Sequence, residues 1–186
     1  MKNACIFHGS GGSPDDFWYP YVKNELEKIG YTVWVPQLPN PNNPDLKTQL
    51  PFVLNNHNYN EDTVLIGHSA GCPLILSLLE SLDVKVKLSI LVSGFINILP
   101  NGPKKILQNK YHWEKIKNNC YNFIFINSDN DPWGCDDKQG AEMAEHLGGE
   151  LIVKYGEGHM GSEVYNQPYT KFPLIVELVE TFEEKK

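Results

Sequence analysis

Val64-Leu65-Ile66-Gly67-His68-Ser69-Ala70-Gly71 joins a short apolar run to a G-x-S-x-G pentapeptide. The segment that follows places Cys72, Leu74, Ile75, Leu78 and Leu79 at helical spacing. A strand that turns sharply into a helix is a nucleophile elbow, and the residue at its tip is Ser69. The chemistry of that turn needs the two glycines. Without a Cβ at Gly67 and Gly71, strand and helix can pass closely while the serine holds a strained backbone.

Working outward, the chain alternates between strand-like and helix-like segments. The pattern predicts strands at Ala4–Phe7, Tyr31–Val35, Thr63–Ile66, Leu88–Val92, Tyr121–Ile126 and Glu150–Tyr155. All but the last are nearly unbroken apolar runs, as parallel strands buried on both faces should be. Helices are predicted at Asp15–Ile29, Asp45–Asn56, Ala70–Leu82, Lys138–Leu147 and Phe172–Glu183. Ser13-Pro14-Asp15-Asp16 reads as the capped start of the first helix and Gly30 as its stop. The alternation predicts a doubly wound, mostly parallel sheet of about six strands with helices on both faces. No repeat or linker divides residues 1–186, which are expected to form a single domain. Between Phe95 and Asn119 the rhythm pauses; a small insertion over the edge of the sheet is expected there, too short for a separate lid domain.

Composition removes several function classes. The net charge is -7 and the chain contains no arginine, so neither a polyanion-binding face nor a guanidinium clamp on phosphate is available. No apolar run approaches the ~20 residues that span a bilayer. The first residues lack the features of a signal peptide, and a cytoplasmic location is expected. Cys5, Cys72, Cys120 and Cys135 show no C-x-x-C spacing, and the first three lie in or beside apolar runs as reduced core residues would. No metal or organic cofactor is expected.

In a doubly wound sheet, ligands bind beyond the carboxyl ends of the strands. Those ends carry His8-Gly9-Ser10-Gly11-Gly12, then the Ser69 turn, then Asn127-Ser128-Asp129-Asn130-Asp131-Pro132, then Gly156-Glu157-Gly158-His159. Serine, acid and histidine thus follow one another in the chain order of α/β-hydrolases, at separations of ~60 and ~30 residues that leave room for the intervening β-α units. Ser69 is the candidate nucleophile, His159 the base that takes its proton, and Asp131 the anion that orients the imidazole. The oxyanion donors are expected to be the backbone N–H groups of Ala70 and Ser10.

Rival readings are open at several of these positions. Asp129 competes with Asp131, whereas Asp136 and Asp137 suit the start of the next helix. His8 and His68 read as loop-supporting residues. Gly158 and Gly161 suggest that His159 sits on a mobile, exposed loop. The glycines after the first strand do not form a phosphate cradle, because no Gly-Lys-Ser/Thr follows and Pro14 takes the place of the third glycine in G-x-G-x-x-G. Trp18 and Trp133 are candidates for lining a substrate pocket.

With these residues in place, nearly the whole chain resembles the small, lidless α/β-hydrolases grouped around retinoblastoma-binding protein 9 and related bacterial serine hydrolases. The resemblance rests on the Gly-rich turn, Tyr21-Val22-Lys23-Asn24-Glu25-Leu26-Glu27-Lys28-Ile29, the G-x-S-x-G turn, Trp113-Glu114-Lys115-Ile116-Lys117, the Ser128–Pro132 loop and Gly158-His159. It implies an α/β-hydrolase fold, a triad of Ser69, Asp131 and His159, and hydrolysis of small acyl esters or amides. No cysteine here has the Leu-x-Cys-x-Glu setting associated with binding the retinoblastoma pocket, so that partner is not expected. The segment from Glu163 to Pro173 is longer than the resemblance implies. The expected function is therefore acyl transfer to water on a small-molecule substrate. The alternative is a protein-interaction module on a hydrolase scaffold.

Overall fold

The apolar runs become six strands in a computed structural model that describes residues 1–183. They are β1 (Asn3–Phe7), β2 (Thr32–Trp34), β3 (Thr63–His68), β4 (Val86–Val92), β5 (Cys120–Asn127) and β6 (Glu150–Val153). All pair in parallel, in the order β2-β1-β3-β4-β5-β6. β1, β3 and β4 are buried along their whole lengths, which is the reason they read as nearly unbroken apolar runs. Phe7 lies opposite Gly67 and His68 opposite Val92, so the carboxyl ends of the central strands stand level. The winding reverses between β1 and β3, and the crevice at that reversal opens beside the Gly-rich loop and Ser69.

Among the described residues six α-helices cover the two faces. α1 (Tyr19–Lys28) and α6 (Pro173–Glu183) bury Val22, Leu26, Ile175 and Val179 on one side. α2 (Leu46–Asn55), α3 (Gly71–Ser81), α4 (Trp113–Asn118) and α5 (Asp137–Leu147) bury Val53, Leu74, Ile116 and Met143 on the other. Most of α3 is buried, and correspondingly it is apolar nearly all round.

Two expectations need correction. α1 begins at Tyr19, with Pro20 in its first turn, and Ser13 does not cap it. Ser13 instead uses its N–H and Oγ to donate to Asp16 at 2.7 and 2.8 Å, closing a separate turn ahead of the helix. Its other end follows the sequence: the N–H of Gly30, at φ 91°, reaches Glu27 and that of Tyr31 reaches Leu26, a Schellman stop. The segment between β4 and β5 does not overhang an edge. Its 3-10 turn at Lys104–Ile106 and the short α4 form the crossover itself, with α4 packed against α3, α5 and β5. Among the described residues no separate lid domain stands over the strand ends, and no helix is long and apolar enough to cross a membrane.

At the opposite, amino ends of the strands lies a polar cluster. Glu183 accepts from Lys2, Lys87 and Tyr31, with Lys87 at 2.7 Å, and Asp62 stands 3.7 Å from Lys87. Burial works against ionisation of Glu183, but these donors outweigh it and hold its carboxyl down at about 2.

Candidate active site

The turn after β3 shows why its glycines are required. Ser69 sits at φ 53°, a conformation that costs a non-glycine residue on the order of 1 kcal/mol or more. A Cβ on Gly71 would lie 2.2 Å from the carbonyl oxygen of Phe7, and one on Gly67 would lie 2.9 Å from Ile75. The Ser69 N–H is tied to the Val92 carbonyl at 2.9 Å, so the turn is anchored to β4.

The Gly-rich loop after β1 closes against this turn. A Cβ on Gly9 would meet that of Ser69 at 3.0 Å. His8 holds the loop from beneath: its Nε2 accepts from the Leu38 N–H at 3.1 Å, which leaves Nδ1 to donate to the Gly9 carbonyl at 2.9 Å. Burial lowers the pKa of His8 and favours this neutral form. The N–H of Gly11 donates to Pro41 and that of Gly12 to Gly9, whereas among the described residues no acceptor takes the N–H of Ser10 or of Ala70. Ser10 lines the same cavity as Ser69, while Ala70 is buried behind it.

The loops after β5 and β6 bring acid and base together. His159 Nδ1 is 2.7 Å from Asp131 Oδ2, and the other carboxylate oxygen of Asp131 accepts from the Trp133 N–H at 2.8 Å. Because a carboxylate only accepts, Nδ1 carries the proton and Nε2 is left as the basic nitrogen. Asp129 lies elsewhere, receiving the Gly156 N–H at 2.8 Å, and Asp136 caps α5.

The glycines around His159 do not make its loop exposed: the residue is only 6% accessible. Its N–H donates to Gln167 Oε1 at 2.9 Å, and the Gly158 N–H donates to Asn130 Oδ1 at 2.8 Å. Its carbonyl accepts from Ser93 Oγ at 3.0 Å and from His68 Nε2 at 2.9 Å. Since His68 donates through Nε2, its Nδ1 must accept, and the Tyr19 hydroxyl supplies that proton at 2.7 Å. Burial, reinforced by the neighbouring His159, pushes His68 down to about 3 and keeps it neutral.

Of the two tryptophans expected in the pocket, one is there. Trp133 lines the cavity and its ring meets that of His159 edge-on. Trp18 does not; it is fully buried, with Nε1 donating to the Met160 carbonyl at 2.9 Å, so it anchors the histidine loop from the core. Phe17 faces the cavity in its place. Sequence reading gave no part to Ser93, Asn130 or Gln167. Ser93 follows an apolar run directly, a signal many loops share, and Asn130 and Gln167 lie in polar loop sequence with nothing to single them out.

Asp131, Cys135 and His159 offer three potential metal-ligand atoms within 4.8 Å of one another. Two of them are already committed to each other, and burial, with Asp131 adding to it, holds the Cys135 thiol well above its ordinary value. A protonated thiol is a poor metal ligand, so this donor set does not suit a divalent ion.

A parallel, doubly wound sheet with a serine on a strand-to-helix turn, and a histidine-carboxylate pair on later strand ends, defines an α/β-hydrolase architecture. The serine hydrolase family model matches residues 4–181, and the chain belongs to that family. It is 28% identical over 193 residues to YdeN of Bacillus subtilis (strain 168), covering 100% of this chain and 98% of that protein. It is 29% identical over 173 residues to the serine hydrolase RBBP9 of Rattus norvegicus, covering 88% and 90% respectively. The crystal structure of the B. subtilis ydeN gene product superposes with a TM-score of 0.91 at 27% identity, over 99% of this chain and 100% of that one. Est1E from Butyrivibrio proteoclasticus, solved with ferulic acid bound, shares the fold at a TM-score of 0.71 and 14% identity, over 100% and 89%.

Proposed function

We propose that this serine hydrolase cleaves small carboxylic esters or amides through an acyl-enzyme, with Ser69, His159 and Asp131 as its triad. The observation that carries this reading is the 2.7 Å His159–Asp131 pair, whose histidine opens on the same cavity as the strained Ser69. Ser69 Oγ attacks the substrate carbonyl while His159 Nε2 takes its proton. The resulting imidazolium is stabilised through Nδ1 by Asp131. The carbonyl oxygen, now an oxyanion, is received by the Ser10 and Ala70 N–H groups. Collapse of the tetrahedral intermediate breaks the bond to the leaving alcohol or amine, which departs with the proton held by His159. Water then repeats the sequence on the acyl-serine and releases the carboxylic acid. The four free cysteines suit a reducing compartment, and the proposal places the enzyme in the cytoplasm.

Ser69→Ala is expected to lower hydrolysis of p-nitrophenyl esters by about 10⁴-fold or more and to abolish labelling by a fluorophosphonate probe, with an unchanged circular dichroism spectrum. Esterase activity retained by the folded variant would remove Ser69 from the reaction.

A further inference from the structure

The cavity above Ser69 has a volume of about 540 Å³, room for an acyl group well beyond acetyl. One wall comes from the β4–β5 crossover and is built of Phe95, Leu99 and Pro103; Phe17, Trp133 and Val164 complete its apolar surface. No lysine is among the lining residues, and the chain has no arginine to contribute. Lys104 and Lys105 are the nearest cations in sequence to that wall, and both are exposed on the 3-10 turn outside the lining. The carboxylates that do border the cavity are Asp16 and Glu163.

We propose, resting on the acyl-enzyme reading above, that this cavity selects uncharged apolar acyl groups and rejects acyl chains that end in a carboxylate. An anion entering it would shed water against aromatic and aliphatic carbon, with no cation to replace that hydration. It would also approach the half-buried Asp16, with the exposed Glu163 adding a weaker repulsion at the rim. The other titratable side chains of the lining do not offset this. Burial keeps the Cys135 thiol and the Tyr19 hydroxyl protonated, and His68 stays neutral. His159 is held by Asp131 through Nδ1 at 2.7 Å, so a charge it takes up in the reaction is matched there. The free N–H groups of Ser10 and Ala70 serve the oxyanion, so a second anion would have to compete for them.

The test uses two substrates of nearly equal size: the mixed methyl p-nitrophenyl ester of adipic acid and the mono-p-nitrophenyl ester, whose far end is a free carboxylate at neutral pH. The methyl ester is expected to have a kcat/KM about 100-fold higher or more. Val164, at the rim and 73% exposed, can be changed with little cost to folding. Val164→Lys supplies a cation at that rim and is expected to narrow the kcat/KM ratio between the two esters by about 10-fold or more, chiefly through faster turnover of the charged one; an unchanged ratio would count against the charge rule. Equal turnover of both esters by the parent enzyme would overturn the charge rule, as it would if Lys104 and Lys105 reached into the site. Fluorophosphonate labelling of Ser69 with neither ester cleaved would overturn it too, because an apolar acyl group would then not be accepted. Loss of the labelling itself would instead strike the acyl-enzyme reading.

Discussion

The two ends of the sheet treat charge in opposite ways. At the amino ends, Lys2, Lys87, Asp62, Glu183 and the Tyr31 hydroxyl share one another in a network partly open to solvent. At the carboxyl ends, the buried hydrogen-bonded pair Asp131–His159 stands beside His8 and His68, which burial keeps neutral. Backbone strain divides the same way: Ser69, Ser93, Phe17 and Met160, all at positive φ, lie at or beside the carboxyl ends. A network with several donors tolerates the loss of one. A site whose tautomers and loop positions each depend on one bond does not. Changes at the carboxyl ends should therefore appear in rate, and changes at the amino ends in stability.

The severest test of that division is Gly71, because it bears on both. Gly71→Ala drives a methyl group to 2.2 Å from the Phe7 oxygen, and neither strand nor helix can yield without moving the core. Destabilisation of more than about 3 kcal/mol is expected by chemical denaturation, with activity lost alongside. A variant of near-native Tm would show that the close approach is not what fixes the turn.

Tyr19→Phe probes the carboxyl end alone. It removes the proton donor to His68 and so frees the tautomer that grips the His159 carbonyl. A fall in kcat of about 10-fold is expected, with KM within about twofold and a shifted acid limb in the pH–rate profile. Loss of Tm with kcat unchanged would reduce Tyr19 to a packing residue.

Glu183→Gln probes the amino end and should have the smallest effect. A few degrees of Tm are expected to be lost at pH 7, with kcat unaltered. Glu183 titrates at about 2 when folded, below the ordinary carboxylate value of 4.5. Its contribution is therefore present above pH 4.5 and is lost as pH falls toward 2. The difference between parent and variant should shrink over that window. At the carboxyl end the acid-induced loss sets in earlier on the way down: His68 is neutral down to about 3 when folded but takes a proton near 6.5 when unfolded, so acid weakens the fold from about pH 6.5 downward. A Glu183→Gln difference that persisted at pH 2 would break the separation.

Much of this was legible in the chain because burial on both faces leaves a plain apolar record in β1, β3 and β4. The triad candidates were legible for a related reason: strand ends are easily located, and a serine, an acid and a histidine follow them in a telling chain order. What misled was chemistry that serves two purposes. Ser13 and Asp16 have the composition of a helix cap but satisfy each other. Gly158 permits φ 58° in a loop that Gln167 then holds rigidly in place, so glycine there marks conformation rather than mobility. Trp18 and Phe17 are adjacent aromatic residues, yet Phe17, at φ 49°, lines the cavity while Trp18 is fully buried, a difference that composition does not record. α4 escaped notice because its six residues bury only Ile116, too brief a signal to show a period.

The three proposed triad residues come from the ends of β3, β5 and β6, so the sheet must be paired nearly to its last strand before they can meet. A growing chain that has folded through β4 carries the strained serine but neither acid nor base. During synthesis the molecule should thus be catalytically silent until its final third has docked. Recovered hydrolase activity in a refolding experiment would accordingly time the closing of the sheet rather than its nucleation.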